Sequence, residues 1–136
     1  MRPLHNLLLS FAAGAVLAAC SAPNAYENTD SSGSVRFVGA PSVDGWVEAL
    51  DARTGRADSG LAVYQVDLYN RTAARLALES RARWFDEQGL EIEQPTRHWE
   101  VVFIPAGSRE PVRSTAPNAS AERCEMEIRA HQPITD

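Results

Sequence analysis

Two kinds of segment divide the chain. From Val35 onward short apolar runs recur between turn residues, the spacing of a β-sandwich or small barrel. Residues 35–38 predict a short strand. Residues 45–53 predict a second, carrying Trp46, Val47, Ala49 and Leu50 with an ambiguous facing. Residues 61–70 are clearer: Ala62, Tyr64, Val66 and Leu68 share one face, Gln65 and Asp67 the other. Residues 76–86 repeat the pattern, with Leu76, Leu78, Ala82 and Trp84 against Glu79, Arg81 and Arg83. The stretch between them, 70–75, fits a hairpin connection. Asp86-Glu87-Gln88-Gly89 is the sharpest turn signal, Asp opening a type I turn and Gly89 suiting a left-handed position. Residues 90–93 predict a returning strand, stopped by Pro95. Residues 99–104 predict another, with Trp99, Val101 and Phe103 on one face. After a Pro105-Ala106-Gly107 turn, 109–114 predict an edge strand, because Pro111 has no N–H for a ladder. Residues 117–122 have room for one helical turn. The last strand, 123–130, turns Cys124, Met126, Ile128 and Ala130 inward and Arg123, Glu125, Glu127 and Arg129 outward.

The first 34 residues carry no such pattern. Arg2 precedes an apolar run from Leu7 to Ala19, interrupted by Ser10 and Gly14. The run is shorter than the roughly 20 residues of a membrane-spanning helix and has the length of a signal-peptide core. It ends Leu17-Ala18-Ala19-Cys20, an aliphatic residue, two small residues and Cys, which resembles a bacterial lipobox. That resemblance implies a diacylglycerol on the Cys20 thiol and cleavage before it. Acyl chains, at about 0.8 kcal/mol per buried CH₂, make such an anchor stable. Ser21 stands where an Asp would imply inner-membrane retention, so the expected address is the outer membrane, facing the periplasm. A plain secretory signal with a coincidental Cys is the alternative. Residues 21–34 are polar, with Pro, Gly and Ser, and predict a flexible tether spanning about 20 Å. The expected organisation is a signal peptide over 1–19, a lipidated N-terminus and tether over 20–34, a domain over 35–130 and a tail over 131–136.

Charge and composition remove several kinds of chemistry. Asp and Glu number 18 against 13 Lys and Arg, a net charge of −5, so the chain has no general field for nucleic acid. Every basic residue is Arg, which excludes Schiff-base and P-loop lysine chemistry. Two Cys and three His leave little material for a metal site, and no cofactor is expected. Cys124 lies on an apolar strand face, as a structural thiol rather than a reactive one. His98 and His131 lack clustered ligand partners. Asp86, Glu87, Glu91 and Glu93 crowd one hairpin; a solvated tip explains them, and acid–base work would need a pocket that perturbs them. No Ser occupies a nucleophile elbow, so no catalytic residue is assigned. Trp46, Trp84 and Trp99 either share the core or line a groove; Trp46 and Trp99, the latter following Arg97 and His98, are the ligand-binding candidates. The alternating charges of 79–83 and 123–129 predict a solvated sheet face or a docking surface.

The segments Arg83-Trp84-Phe85-Asp86-Glu87-Gln88-Gly89-Leu90-Glu91, Ile104-Pro105-Ala106-Gly107-Ser108 and Ala116-Pro117-Asn118-Ala119, with a closing strand ending Ile128-Arg129, resemble the YcfL-like family of small bacterial periplasmic lipoproteins. The resemblance covers roughly 43–129. It implies an all-β fold, a small Ig-like antiparallel β-sandwich, and supplies no catalytic residues. It also implies an envelope role near cell-wall synthesis, by association only. The expected function is a non-catalytic outer-membrane lipoprotein acting as a periplasmic interaction module with an envelope protein partner. Edge strands near Val35 or Arg109 would be its docking elements. The alternative is a small-ligand or lipid binder with a Trp-lined groove.

Overall fold

A computed structural model describes residues 25–27, 33–95 and 98–132. Cys20, the lipobox residues Leu17, Ala18 and Ala19, Arg97 and the end of the expected tail lie outside the described residues. Eight strands carry the regular structure: β1 Ala25–Glu27, β2 Gly33–Phe37, β3 Val47–Arg56, β4 Ala62–Asn70, β5 Leu76–Phe85, β6 Glu100–Ile104, β7 Arg109–Thr115 and β8 Arg123–Ala130. They form an Ig-like sandwich of two sheets, ordered β1-β2-β8-β5-β6 and β3-β4-β7. The described pairings are antiparallel except β2 with β8.

Period-two alternation builds the core. Tyr64, Val66 and Leu68 of β4 pack in one cluster with Leu78 and Trp84 of β5 and Cys124, Met126 and Ile128 of β8. None of these is more than 1% exposed. Each large apolar side chain buried this way contributes roughly 1.5–3 kcal/mol. Trp84, the largest, keeps its polar atom satisfied: its Nε1–H donates to Ser114 Oγ at 3.0 Å. Gly33 lies against the ring of Tyr64 so closely that a Cβ would collide with it.

Several expectations change. The 70–75 stretch is not a hairpin, since β4 and β5 belong to different sheets; it is an arch that crosses the sandwich. Asn70, fully buried, holds the arch. Its Nδ2 donates to the carbonyls of Ala74 (2.7 Å), Ile104 (2.9 Å) and Pro105 (3.2 Å), and its Oδ1 accepts from the N–H and hydroxyl of Thr72, both at 2.8 Å. The Asp86 turn forms as expected, with Asp86 Oδ1 accepting from the N–H groups of Gln88 and Leu90 and Gly89 at φ +80°. The strand expected after it shrinks to one bridge, Phe85 to Glu91. Residues 117–122 form turns, not a helical turn, with Asn118 Oδ1 accepting from Ser120 N–H at 3.0 Å. Strand β1 falls within the stretch expected as tether and pairs with β2, so β2 lies inside its sheet and Val35 is no edge. Strand β7 is an edge, as Pro111 suggested.

Candidate functional site: an interrupted sheet edge

The pairing of β5 on the side away from β8 is broken in the middle. Strand β6 covers Leu76 to Ser80. At the other end Glu91 bridges Phe85, and Ile92 N–H donates to Trp84 O at 2.8 Å. Between these, no strand among the described residues continues the ladder. A side chain substitutes for the missing backbone donor: Gln94 Nε2 donates to Ala82 O at 3.2 Å. Pro95, without an N–H, follows Gln94, and the next described strand is β6.

This interruption opens a cleft of about 220 Å³ between the two sheets. Ser80, Arg81 and Ala82 form one wall and Val112 to Thr115 of β7 the other, with Gln94, His98 and Glu100 also lining it and Met126 contributing from β8. His98 Nε2 lies 3.6 Å from Glu100 Oε1. The lining holds an imidazole, a carboxylate and hydroxyls, and the wall on the β7 side is the free edge of its sheet. Such a site can take an extended, hydrogen-bonding chain more readily than a flat apolar ring.

The outer face of the five-stranded sheet is not a freely solvated charge pattern. The β5–β8 register sets Glu79 opposite Arg129, Arg81 opposite Glu127, Arg83 opposite Glu125 and Phe85 opposite Arg123. Arg129 Nε meets Glu79 Oε2 at 2.5 Å, Arg81 Nε meets Glu127 Oε2 at 2.8 Å, and Arg83 Nη1 meets Glu125 Oε1 at 2.9 Å. Glu79 and Glu127 are each only 6% exposed. Their arginine partners are stacked in turn: Arg81 and Arg129 lay their guanidinium groups over the ring of Trp99, at 4.3 and 3.9 Å from its centroid. His131 Nδ1 is 2.9 Å from Glu79 Oε1. Burial pushes the Glu79 carboxyl up, but the bonds from Arg129 and His131 and the Arg129 charge outweigh it, and the carboxyl lies below its ordinary value. Arg83, bonded to Glu91 at 2.7 Å, is held still more firmly protonated, first by that bond and against the opposing effect of burial.

The candidate Trp residues do not converge. Trp84 is in the core, Trp46 is 39% exposed just before β3, and Trp99 lies on the outer face of the other sheet. None of the three lines the cleft. His98 and His131 separate likewise, one in the cleft and one against Glu79. Among the turn carboxylates, Asp86 is spent on turn N–H groups and Glu91 on Arg83. Cys124 is fully buried, and burial pushes its thiol far up. The residues missed in the sequence are Ser80, Gln94 and Ser114; only Gln94, directly before a strand-stopping Pro, left a signal.

Fold and site together define a small β-sandwich module with an open sheet edge. The chain belongs to the family described as "Protein of unknown function (DUF1425)", which matches residues 35–130. Two solved structures share the fold. A crystal structure of a DUF1425 family member from Shewanella sp. pv-4 is 18% identical, with a TM-score of 0.58, over 79% of this chain and 95% of that one. The crystal structure of Campylobacter jejuni cj0090 is 19% identical, with a TM-score of 0.57, over 71% of this chain and 97% of that one. No curated protein matches the chain.

Proposed function

We propose that the chain is a non-catalytic lipoprotein of the outer membrane. Its sandwich works in the periplasm as a protein-interaction module of the cell envelope, linked to cell-wall synthesis or assembly. In this reading Cys20 carries the lipid, Leu17, Ala18 and Ala19 form the lipobox, and the family membership is the YcfL-like one. The observation that carries the interaction role is the free edge of β7 beside the cleft. An extended segment of a partner adds there as a further strand, its backbone bonding to β7 and its side chains entering between the sheets. The test is crosslinking in whole cells, enrichment of the protein and identification of what accompanies it, with Cys20→Ser as the unanchored control. One envelope protein recovered at near-stoichiometric yield and lost in the control supports the reading. Recovery of only the chain itself and abundant bystanders overturns it. The exposure of Trp46 favours a second reading, a small-ligand or lipid binder. A saturable change in Trp fluorescence on titration with lipids or wall fragments would support that one, and a flat response would remove it.

A further inference from the structure

Backbone parity decides which groups β7 leaves free. Ala116 N–H donates to Ala62 O at 2.8 Å and Asn70 N–H to Ser108 O at 3.0 Å, one at each end of the register that pairs Val63 with Thr115 and Tyr69 with Arg109. An antiparallel ladder bonds every second residue pair. Glu110, Val112 and Ser114 therefore turn their backbone groups to β4, while Arg109, Pro111, Arg113 and Thr115 turn theirs to the free edge. Pro111 has no N–H. Along the part of β7 that walls the cleft, Arg113 and Thr115 are the residues that offer both a donor and an acceptor to a new strand. Two charges flank this stretch, one on each face. Inside, Glu100 shares a face of β6 with Val102 and Ile104 and lines the cleft. Its side chain is 67% exposed, and its ionic partner among the described residues is His98, at 3.6 Å. Arg81 also lines the cleft, but its guanidinium lies on the outer sheet face, bonded to Glu127 and stacked on Trp99. Outside, exposed Arg113 stands opposite Gln65 of β4, with no carboxylate bonded to it among the described residues.

We infer that the segment added to β7 carries alternating charge: a basic side chain opposite Ser114, entering the cleft toward Glu100, and an acidic one directly after it, opposite Arg113. This rests on the strand addition proposed above and names the chemistry of what is added. Antiparallel pairing is the stronger kind per residue and the kind found throughout this sheet, and it sets the order. The residue opposite Thr115 comes first, then the basic residue, then the acidic one. The first and third exchange both backbone bonds with Thr115 and Arg113. The middle one makes none with β7 and turns its side chain the way Ser114 turns, into the cleft; its two neighbours face out with Arg113 and Thr115. Opposite charges so placed attract across the pair, and like charges repel. The alternation also fixes the register. A slip by one residue in either direction turns the acidic side chain inward, to the side of Glu100, and the basic one outward, to the side of Arg113. A slip of two toward Arg109 sets the third residue against Pro111 and loses a bond. A segment with the two charges exchanged meets a like charge on both faces and is excluded.

The test uses the full chain carrying Cys20→Ser and two synthetic peptides. One is acetyl-Thr-Lys-Glu-Val-Thr-amide; the other has Glu-Lys in place of Lys-Glu. Short peptides bind weakly, so affinity is read from the backbone amide signals by NMR titration. The Lys-Glu peptide is expected to shift the Arg113 and Thr115 amides most and to bind about tenfold more tightly than its charge-exchanged counterpart. Glu100→Arg combined with Arg113→Glu should reverse that preference. Both positions are exposed, so the pair of substitutions leaves the core intact. Equal affinity for the two peptides, with shifts at Arg113 and Thr115, overturns the charge assignment and leaves strand addition standing. A preference that the double variant fails to alter overturns the assignment as well. Shifts at neither amide with either peptide overturn the assignment together with the β7 docking site.

Discussion

Replacing Asn70 by Ala should be among the most destabilising single changes in the domain, although it removes only a short polar side chain. The amide has two N–H donors and shares them among three carbonyls, those of Ala74, Ile104 and Pro105. The Ile104 bond is buried and joins residues 34 apart in sequence; the other two are partly buried. Truncation leaves the Ile104 carbonyl without this donor at about 1–3 kcal/mol and weakens the two partly buried carbonyls at about 0.5–1 kcal/mol each. The Thr72 N–H loses its acceptor at the same time, while the Thr72 hydroxyl keeps the Ala74 carbonyl. A total near 3 kcal/mol follows, a large share of the roughly 5–15 kcal/mol that holds a domain together. Urea unfolding followed by Trp fluorescence measures it, and the slope against denaturant should stay unchanged while the midpoint falls. Asn70→Asp sharpens the test. It keeps the shape and the bond from Thr72 but turns a carboxylate toward three carbonyls, which raises the folded-state pKa of the new group. Relative to wild type, its stability should therefore be greatest at low pH, where the carboxyl is protonated and again donates, and should decline as pH rises from the unfolded value through the raised folded one. A loss below 1 kcal/mol for the Ala variant, or an Asp variant indifferent to pH, would refute the idea that this side chain ties the arch to the opposite sheet.

Three further outcomes test other parts of the fold. The Cys124 thiol, raised by burial, should resist an aromatic disulfide reagent at pH 8 in the native protein and react at once in denaturant; native-state reaction at a normal rate would contradict its burial. Glu79→Gln should cost roughly 2 kcal/mol at neutral pH by weakening the bonds to Arg129 and His131. Because the folded Glu79 carboxyl lies below its unfolded value of 4.5, that stabilisation is complete above 4.5 and is lost as pH falls through the folded value, so wild type and variant should converge in acid. Gly33→Ala should lower stability by about 1–3 kcal/mol, since the new methyl meets the ring of buried Tyr64; an unchanged unfolding midpoint would show that the ring gives way freely.

How much of this was legible depends on whether the deciding contact is local. Strands β4 and β8 alternate apolar and polar side chains, and their inward sets, Tyr64-Val66-Leu68 and Cys124-Met126-Ile128, are the buried ones. The arch was read as a hairpin because both need a short polar connection with an Asn. The choice between them lies in the reach of Asn70 to carbonyls beyond β5, which no local pattern encodes. The outer charges are visible as alternation, but their pairing depends on the β5–β8 register, and Trp99 comes from a distant segment to stack against Arg81 and Arg129. Alternation also says which residues share a face and not which face is the core. Trp99, Val101 and Phe103 were grouped correctly by period two, yet they point outward, while Val102 and Ile104 take the inner side. A strand that is apolar on both sides is usually one that is covered on both sides. In the described residues the core covers the inner side of β6, while on its outer side Arg75 lies over the Phe103 ring and Val101 stays exposed, so the strand reads as apolar on both faces although only one of them is core.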